Sequence, residues 1–147
     1  MTTTPSSDEH RPVLLTPAHT VPVIRSARER AALQSLLRTS TAAEQAAHGP
    51  GRREAYRTTR SLLAASRVLG FTLTDLSSML GVSHGSVRNR SSVMTPILPS
   101  TFLALVPNLK PVAAAAGLWD PEPLEEEPID PRELVAWYLS AWSRPAE

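Results

Sequence analysis

The chain has 147 residues, 41% of them apolar and 14 of them proline, which suits one compact domain or a small domain with structured arms. It contains no cysteine, which excludes disulfides and thiolate metal sites, and its longest nearly apolar stretch, 112–119, is far below the ~20 residues needed to cross a bilayer. The net charge of +1 conceals a division: residues 52–90 carry seven arginines against two acids, whereas 119–147 carry eight acids against two arginines.

Residues 1–23 are rich in Thr, Ser and Pro and read as a flexible arm. The polar start lacks an apolar run behind a basic segment, so no secretory signal is expected and the location expected is cytoplasmic. Ser26 and Glu29 make a capping-box pattern with Ala27, Ala31, Leu33, Leu36 and Leu37, predicting a first helix over 27–38. Thr41 and Glu44 offer a second box, so the chain to Ala47 is either a separate short helix or a continuation. Gly49-Pro50-Gly51 ends it.

A second helix is predicted over 53–69, with Tyr56, Leu62, Leu63, Ala65, Val68 and Leu69 on one side and Gly70 as its stop. No proline falls between Pro50 and Pro96, as a helical core requires. Within 71–92 lies the most informative stretch of the chain. Thr72 is a good N-cap, Leu73, Leu76 and Leu80 recur at helical spacing, and Gly81 permits the positive φ that ends one helix and turns the chain. Val82 is expected to plug the angle between the helices, Ser83 to cap the next one, and Val87 to face the core. Two short helices joined by a glycine-bearing turn are the unit that places a helix in the major groove of DNA.

Beyond Pro96 the pattern breaks. Pro99, Pro107 and Pro111 divide 97–119 into short pieces, with room for one or two helical turns over 101–106, and 120–130 reads as an acidic, proline-rich linker. Asp130-Pro131-Arg132-Glu133 then opens a last helix to about Trp142, carrying Leu134, Val135, Trp137, Tyr138, Leu139 and Trp142. No strand and no internal repeat is predicted. The fold class expected is all-α: a helical domain (24–95) made of a tri-helical helix-turn-helix core and an extra N-terminal helix, a proline-rich and acidic linker (96–129) and a C-terminal amphipathic helix (130–147).

Thr72, Asp75, Leu76, Leu80, Gly81, Val82, Ser83, Ser86 and Val87 resemble the T-x-x-E-L-A-x-x-L-G-V-S-x-x-T-V pattern of the homeodomain-like, three-helix class of bacterial helix-turn-helix domains. That class occurs in site-specific recombinases, many repressors and promoter-reading regions of sigma factors. The resemblance spans roughly 53–93 and is at superfamily level. Three positions depart from it: Asp75 replaces glutamate, Ser77 replaces a small apolar alanine, and Arg90 stands where an apolar residue often closes the core.

The resemblance implies double-stranded DNA binding, with the N-terminal half of the helix after Ser83 at base edges. His84, Ser86, Arg88 and Asn89 are the candidate readers, Arg88 suiting guanine and Asn89 adenine, while Gly85 lets the helix sit close to the DNA. Ser83, Arg90, Arg53, Arg57 and Arg60 are the candidate phosphate contacts. A composition of 14 arginines and one lysine also fits a GC-rich genome, and the arginines equally fit a solvated helix face.

No glycine loop for phosphate, metal-spaced histidine cluster or thiol nucleophile is present, so neither catalysis nor a cofactor is expected. A small bacterial or phage transcriptional regulator, such as a dimeric repressor, is the leading expectation. The alternative is an adaptor or antitoxin-type subunit that holds a partner. All three tryptophans lie in the last 29 residues, and Trp137, Tyr138 and Trp142 are candidate interface residues; docking on the chain's own core is their equal alternative.

Overall fold

The computed structural model describes residues 26–118 and 126–143, so the N-terminal arm, Trp119, most of the acidic linker and the last four residues lie outside it. Among the described residues the chain forms seven α-helices and one 3-10 turn, with no strand. The helices are α1 (Ala27–Ala46), α2 (Pro50–Val68), α3 (Leu73–Leu80), α4 (His84–Arg90), α5 (Pro99–Leu103), α6 (Lys110–Ala115) and α7 (Pro131–Ser143). The 3-10 turn is Pro107–Leu109.

Helix α1 starts where Ser26 and Glu29 predict, through a reciprocal capping box. It then runs without interruption to Ala46, so Thr41 does not cap a second helix. Its hydroxyl instead donates to the Leu37 carbonyl (2.8 Å), a bond a helix-interior threonine makes without breaking the helix. The break comes at Gly49, whose φ of 58° few other residues adopt at low cost. Pro50 is the first residue of α2, where its missing N–H costs nothing. Gly49-Pro50-Gly51 is thus a boundary that both ends one helix and starts the next.

Helix α1, expected as an addition to a three-helix core, is central to it. It packs along α2 and also meets α3 and α7. Ala32, Leu33, Leu36 and Leu37 are fully buried on one stripe, and Leu62, Leu63 and Ala65 face them from α2. One polar pair lies inside this seam: Ser40 and Thr59 hydroxyls are 2.6 Å apart. Thr59 already donates its proton to the Ala55 carbonyl (3.1 Å), so Ser40 is the donor of the pair.

Helix α7 opens as the sequence predicts. The Asp130 carboxylate accepts from the Arg132 backbone N–H (2.8 Å) and also pairs with the Arg132 side chain. The Arg132 side-chain bonds outweigh burial and hold the Asp130 carboxyl below its ordinary range. A backbone bridge brings α7 to the core: Ile97 and Ile129 exchange N–H···O bonds of 2.9 and 2.8 Å. Leu134, Val135, Tyr138 and Leu139 then pack against α1 and α2.

Tyr138 therefore corrects the sequence expectation. It is fully buried, its ring meets Phe102 edge-on (centroids 6.2 Å apart), and its hydroxyl donates to the Ala32 carbonyl (2.8 Å). Burial pushes that hydroxyl's pKa up to about 12, partly offset by a hydrogen bond from Ser35. An aromatic ring this size with its polar tip satisfied belongs to the chain's own core. Of the expected interface, Trp137 is half-buried and Trp142 remains 39% exposed, stacked on Tyr138 at 5.8 Å.

Candidate nucleic-acid interface

Helix α3 is short, and its ends are held from α1. At its start, Thr72 and Asp75 form a reciprocal capping box (3.0 Å each way), and Arg30 pairs with the Asp75 carboxylate at 2.7 Å. Burial pushes the Asp75 carboxyl up. The bonds from the Thr72 N–H, the Arg30 guanidinium and the Thr72 hydroxyl outweigh it, so its pKa falls below the ordinary value. At the other end, Gln34 and Arg38 both donate to the Met79 carbonyl (3.3 and 2.9 Å). Arg30, Gln34 and Arg38 recur every fourth residue, which puts them on one face of α1.

The turn after α3 rests on Gly81 in the left-handed region (φ 67°), as its sequence predicts. Ser77 ties the turn through both its backbone and its side chain. Its carbonyl accepts from the N–H groups of Gly81 and Val82 (2.8 and 3.2 Å), and its hydroxyl donates to the Val82 carbonyl. Val82 does not plug the angle between the helices; it is 39% exposed, because the turn points it outward. Phe71, ahead of α3, is buried in the core cluster at 2% exposure.

Ser83 caps α4 by accepting from the Ser86 N–H at 3.1 Å. Val87 is the one buried residue of α4, and helical rotation sets the rest. Gly85 and Asn89 project opposite to Val87, with Arg88 and His84 on one flank; all four are exposed. Ser86 and Arg90 fall on the flank towards the protein and are half-buried. The four expected base readers therefore divide: His84, Arg88 and Asn89 share the outward face, and Ser86 lies at its edge.

The five expected phosphate contacts do not form one surface. Arg90 pairs with Glu44 of α1 at 2.5 Å and lies over the Tyr56 ring at 5.1 Å, so its guanidinium is engaged by the chain itself. Arg60 stacks over the same ring at 5.4 Å. Arg90 closes this end of α4 with an ion pair and a ring contact in place of an apolar side chain. Arg57 faces elsewhere, lining a crevice with Thr95, Pro96, Ile97 and Pro128. Arg53 and Ser83 are exposed.

Two participants went unnoticed in the sequence. Tyr56, expected on the apolar side of its helix, is 39% exposed and serves as the platform for two guanidinium groups. Arg67, near the end of α2, donates to the Ser91 hydroxyl at 3.2 Å, just past α4. The signal was present: Arg53, Tyr56, Arg60 and Arg67 follow one helical stripe at spacings of three, four and seven. Glu44 carried no such signal, since its partner is 46 positions away.

No family model, curated protein or solved structure matches the chain. Among the described residues, no helix is long and apolar enough to cross a membrane.

Proposed function

We propose that the chain binds double-stranded DNA sequence-specifically through the outward face of α4, as a small bacterial or phage-type transcriptional regulator. The observation that carries this reading is the character of that face. A helix anchored by one buried valine presents His84, Arg88 and Asn89 to solvent, with the glycine of its first turn between them. Among the described residues none of the three makes a side-chain hydrogen bond or ion pair, and arginine and asparagine are the residue types that read guanine and adenine edges bidentately.

In this reading α3, Gly81 and α4 form a helix-turn-helix unit of the homeodomain-like kind. Arg53 and Arg60, on the stripe of α2 that reaches α4 through Tyr56, supply charge for the DNA backbone. Arg57 has no part in it, because it faces the crevice beside Pro96. Arg90 positions the helix through Glu44 and Tyr56, with at most a peripheral contact to phosphate.

A second reading, an adaptor subunit that holds a partner protein, is favoured by Trp142, a large aromatic left exposed at the end of α7. Gel-shift titrations over a salt series against DNA selected from random fragments separate the two. For a DNA reader, Arg88→Ala and Asn89→Ala each weaken binding to the selected site by about 1–3 kcal/mol and relax specificity at one position. An adaptor enriches no fragment, and selected-site binding unchanged in both variants overturns the assignment of α4.

A further inference from the structure

The first half of α2 carries a pair of charges that the fold leaves unused. Glu54 and Arg57 stand three positions apart, a spacing at which opposite charges on a helix commonly meet. They do not pair with each other. Among the described residues neither the Glu54 carboxylate nor the Arg57 guanidinium makes a hydrogen bond or an ion pair. An exposed pair of this kind contributes little to stability, so its place is better explained by the surface it borders.

Two adjoining hollows open there, and Glu54, Thr58 and Thr101 line both. The larger, about 340 Å³, lies between the end of α1, the start of α2 and α5. Ala43, Ala47, Ala55, Ala104 and Leu105 make it mainly apolar, and it is open because small side chains meet there. The smaller, about 240 Å³, is lined by Arg57 with Thr95, Pro96 and Ile97. At the shared edge the Thr58 hydroxyl is committed to the Glu54 carbonyl (3.0 Å), whereas the Thr101 hydroxyl has no hydrogen-bond partner among the described residues. An apolar recess edged by a few convergent polar groups is the form that small-molecule sites take.

We propose that this crevice is a binding site for a free α-amino acid with a large apolar side chain. The ligand carboxylate pairs with Arg57, its ammonium with Glu54, and its side chain enters the alanine-lined hollow. Cβ atoms three residues apart on a helix are about 5–6 Å from each other, so the two side chains can flank a molecule that carries both opposite charges on one carbon. A fatty acid leaves Glu54 unanswered and an amine leaves Arg57 so, whereas the zwitterion answers both. None of these residues belongs to α4, so the inference stands apart from the DNA-binding reading.

The test is titration calorimetry of the full chain with L-leucine and L-phenylalanine, beside glycine, N-acetyl-L-leucine and L-leucinamide. The expected result is saturable binding of at least one of the two apolar amino acids at millimolar concentration or below, with the three controls weaker by about tenfold or more. Arg57→Gln and Glu54→Gln, both at exposed positions, should each weaken that binding by about tenfold and leave the melting temperature unchanged. Ala104→Leu, which narrows the hollow, should weaken it as well. No saturable binding of either amino acid overturns the site, and so does binding that survives both glutamine variants. N-acetyl-L-leucine binding as tightly as L-leucine removes the contact with Glu54, and with it the assignment to amino acids.

Discussion

Helices α3 and α4 are close in length and joined by one turn, yet the molecule treats them differently. Helix α3 buries Leu76 and Met79 and has its first turn and the Met79 carbonyl tied to α1 by Arg30, Gln34 and Arg38. Helix α4 buries Val87 alone, and its side-chain ties, Arg90 to Glu44 and Arg67 to the following Ser91, lie at its C-terminal end. Among the described residues, the hydrogen bonds of its first turn stay within the helix and its cap. The difference separates a helix that belongs to the scaffold from one that is displayed: fixed at the rear, bare at the front.

Truncating the buried residue of each helix gives the largest expected effects. Leu76→Ala should destabilise the chain by about 3 kcal/mol, from lost burial and the cavity left behind. Val87→Ala removes less buried surface and should cost about 2 kcal/mol. Chemical denaturation of the two variants checks the order. Val87→Ala costing more than Leu76→Ala would mean that α4 is as deeply rooted as α3.

Arg38→Ala tests the clamp on α3 at a smaller scale. Loss of the bond to the Met79 carbonyl should cost about 1 kcal/mol in the same measurement. It should leave selected-site contacts of α4 intact once the folded fraction is corrected for.

The smallest effect is a pH dependence. Asp75 titrates below its ordinary value in the folded chain. Its contribution is therefore present above the unfolded pKa of ~3.9 and lost as pH falls through the lower folded value. Stability measured from about pH 5 to about pH 2 should fall less steeply in Asp75→Asn than in wild type. Parallel slopes would show that the Asp75–Arg30 end of the clamp carries no linkage.

Where a feature depends on neighbours within one turn, the sequence announces it. Ser26 with Glu29, Gly81, Ser83 and Asp130 each act on backbone groups a few residues away, and each sits where local spacing places it. Val87 was legible for the same reason, since the cap fixes the phase of the helix that follows.

Features set by distant partners were not legible. Thr41 and Glu44 look like a capping box, but the helix continues through them because α2 packs along α1, and Glu44 faces Arg90 instead. Tyr56 and Val82 read as apolar, yet one is a surface platform and the other an exposed turn residue. Helix α7 has an amphipathic pattern that fits an outside partner as well as an inside one. The choice is made by the Ile97–Ile129 bridge, which no local pattern encodes.

The hydrogen bond from Tyr138 to Ala32 reaches further than its own stability. Ala32 lies between Arg30 and Gln34, so the seat of α7 and the clamp on α3 share one turn of α1. A ligand that draws α7 away from α1 strips apolar surface from the helix on which α3 depends. Under the proposed function, such a ligand and DNA that requires the assembled core are thermodynamic antagonists. Whatever factor the first takes from the affinity of the second, the second must take from the first.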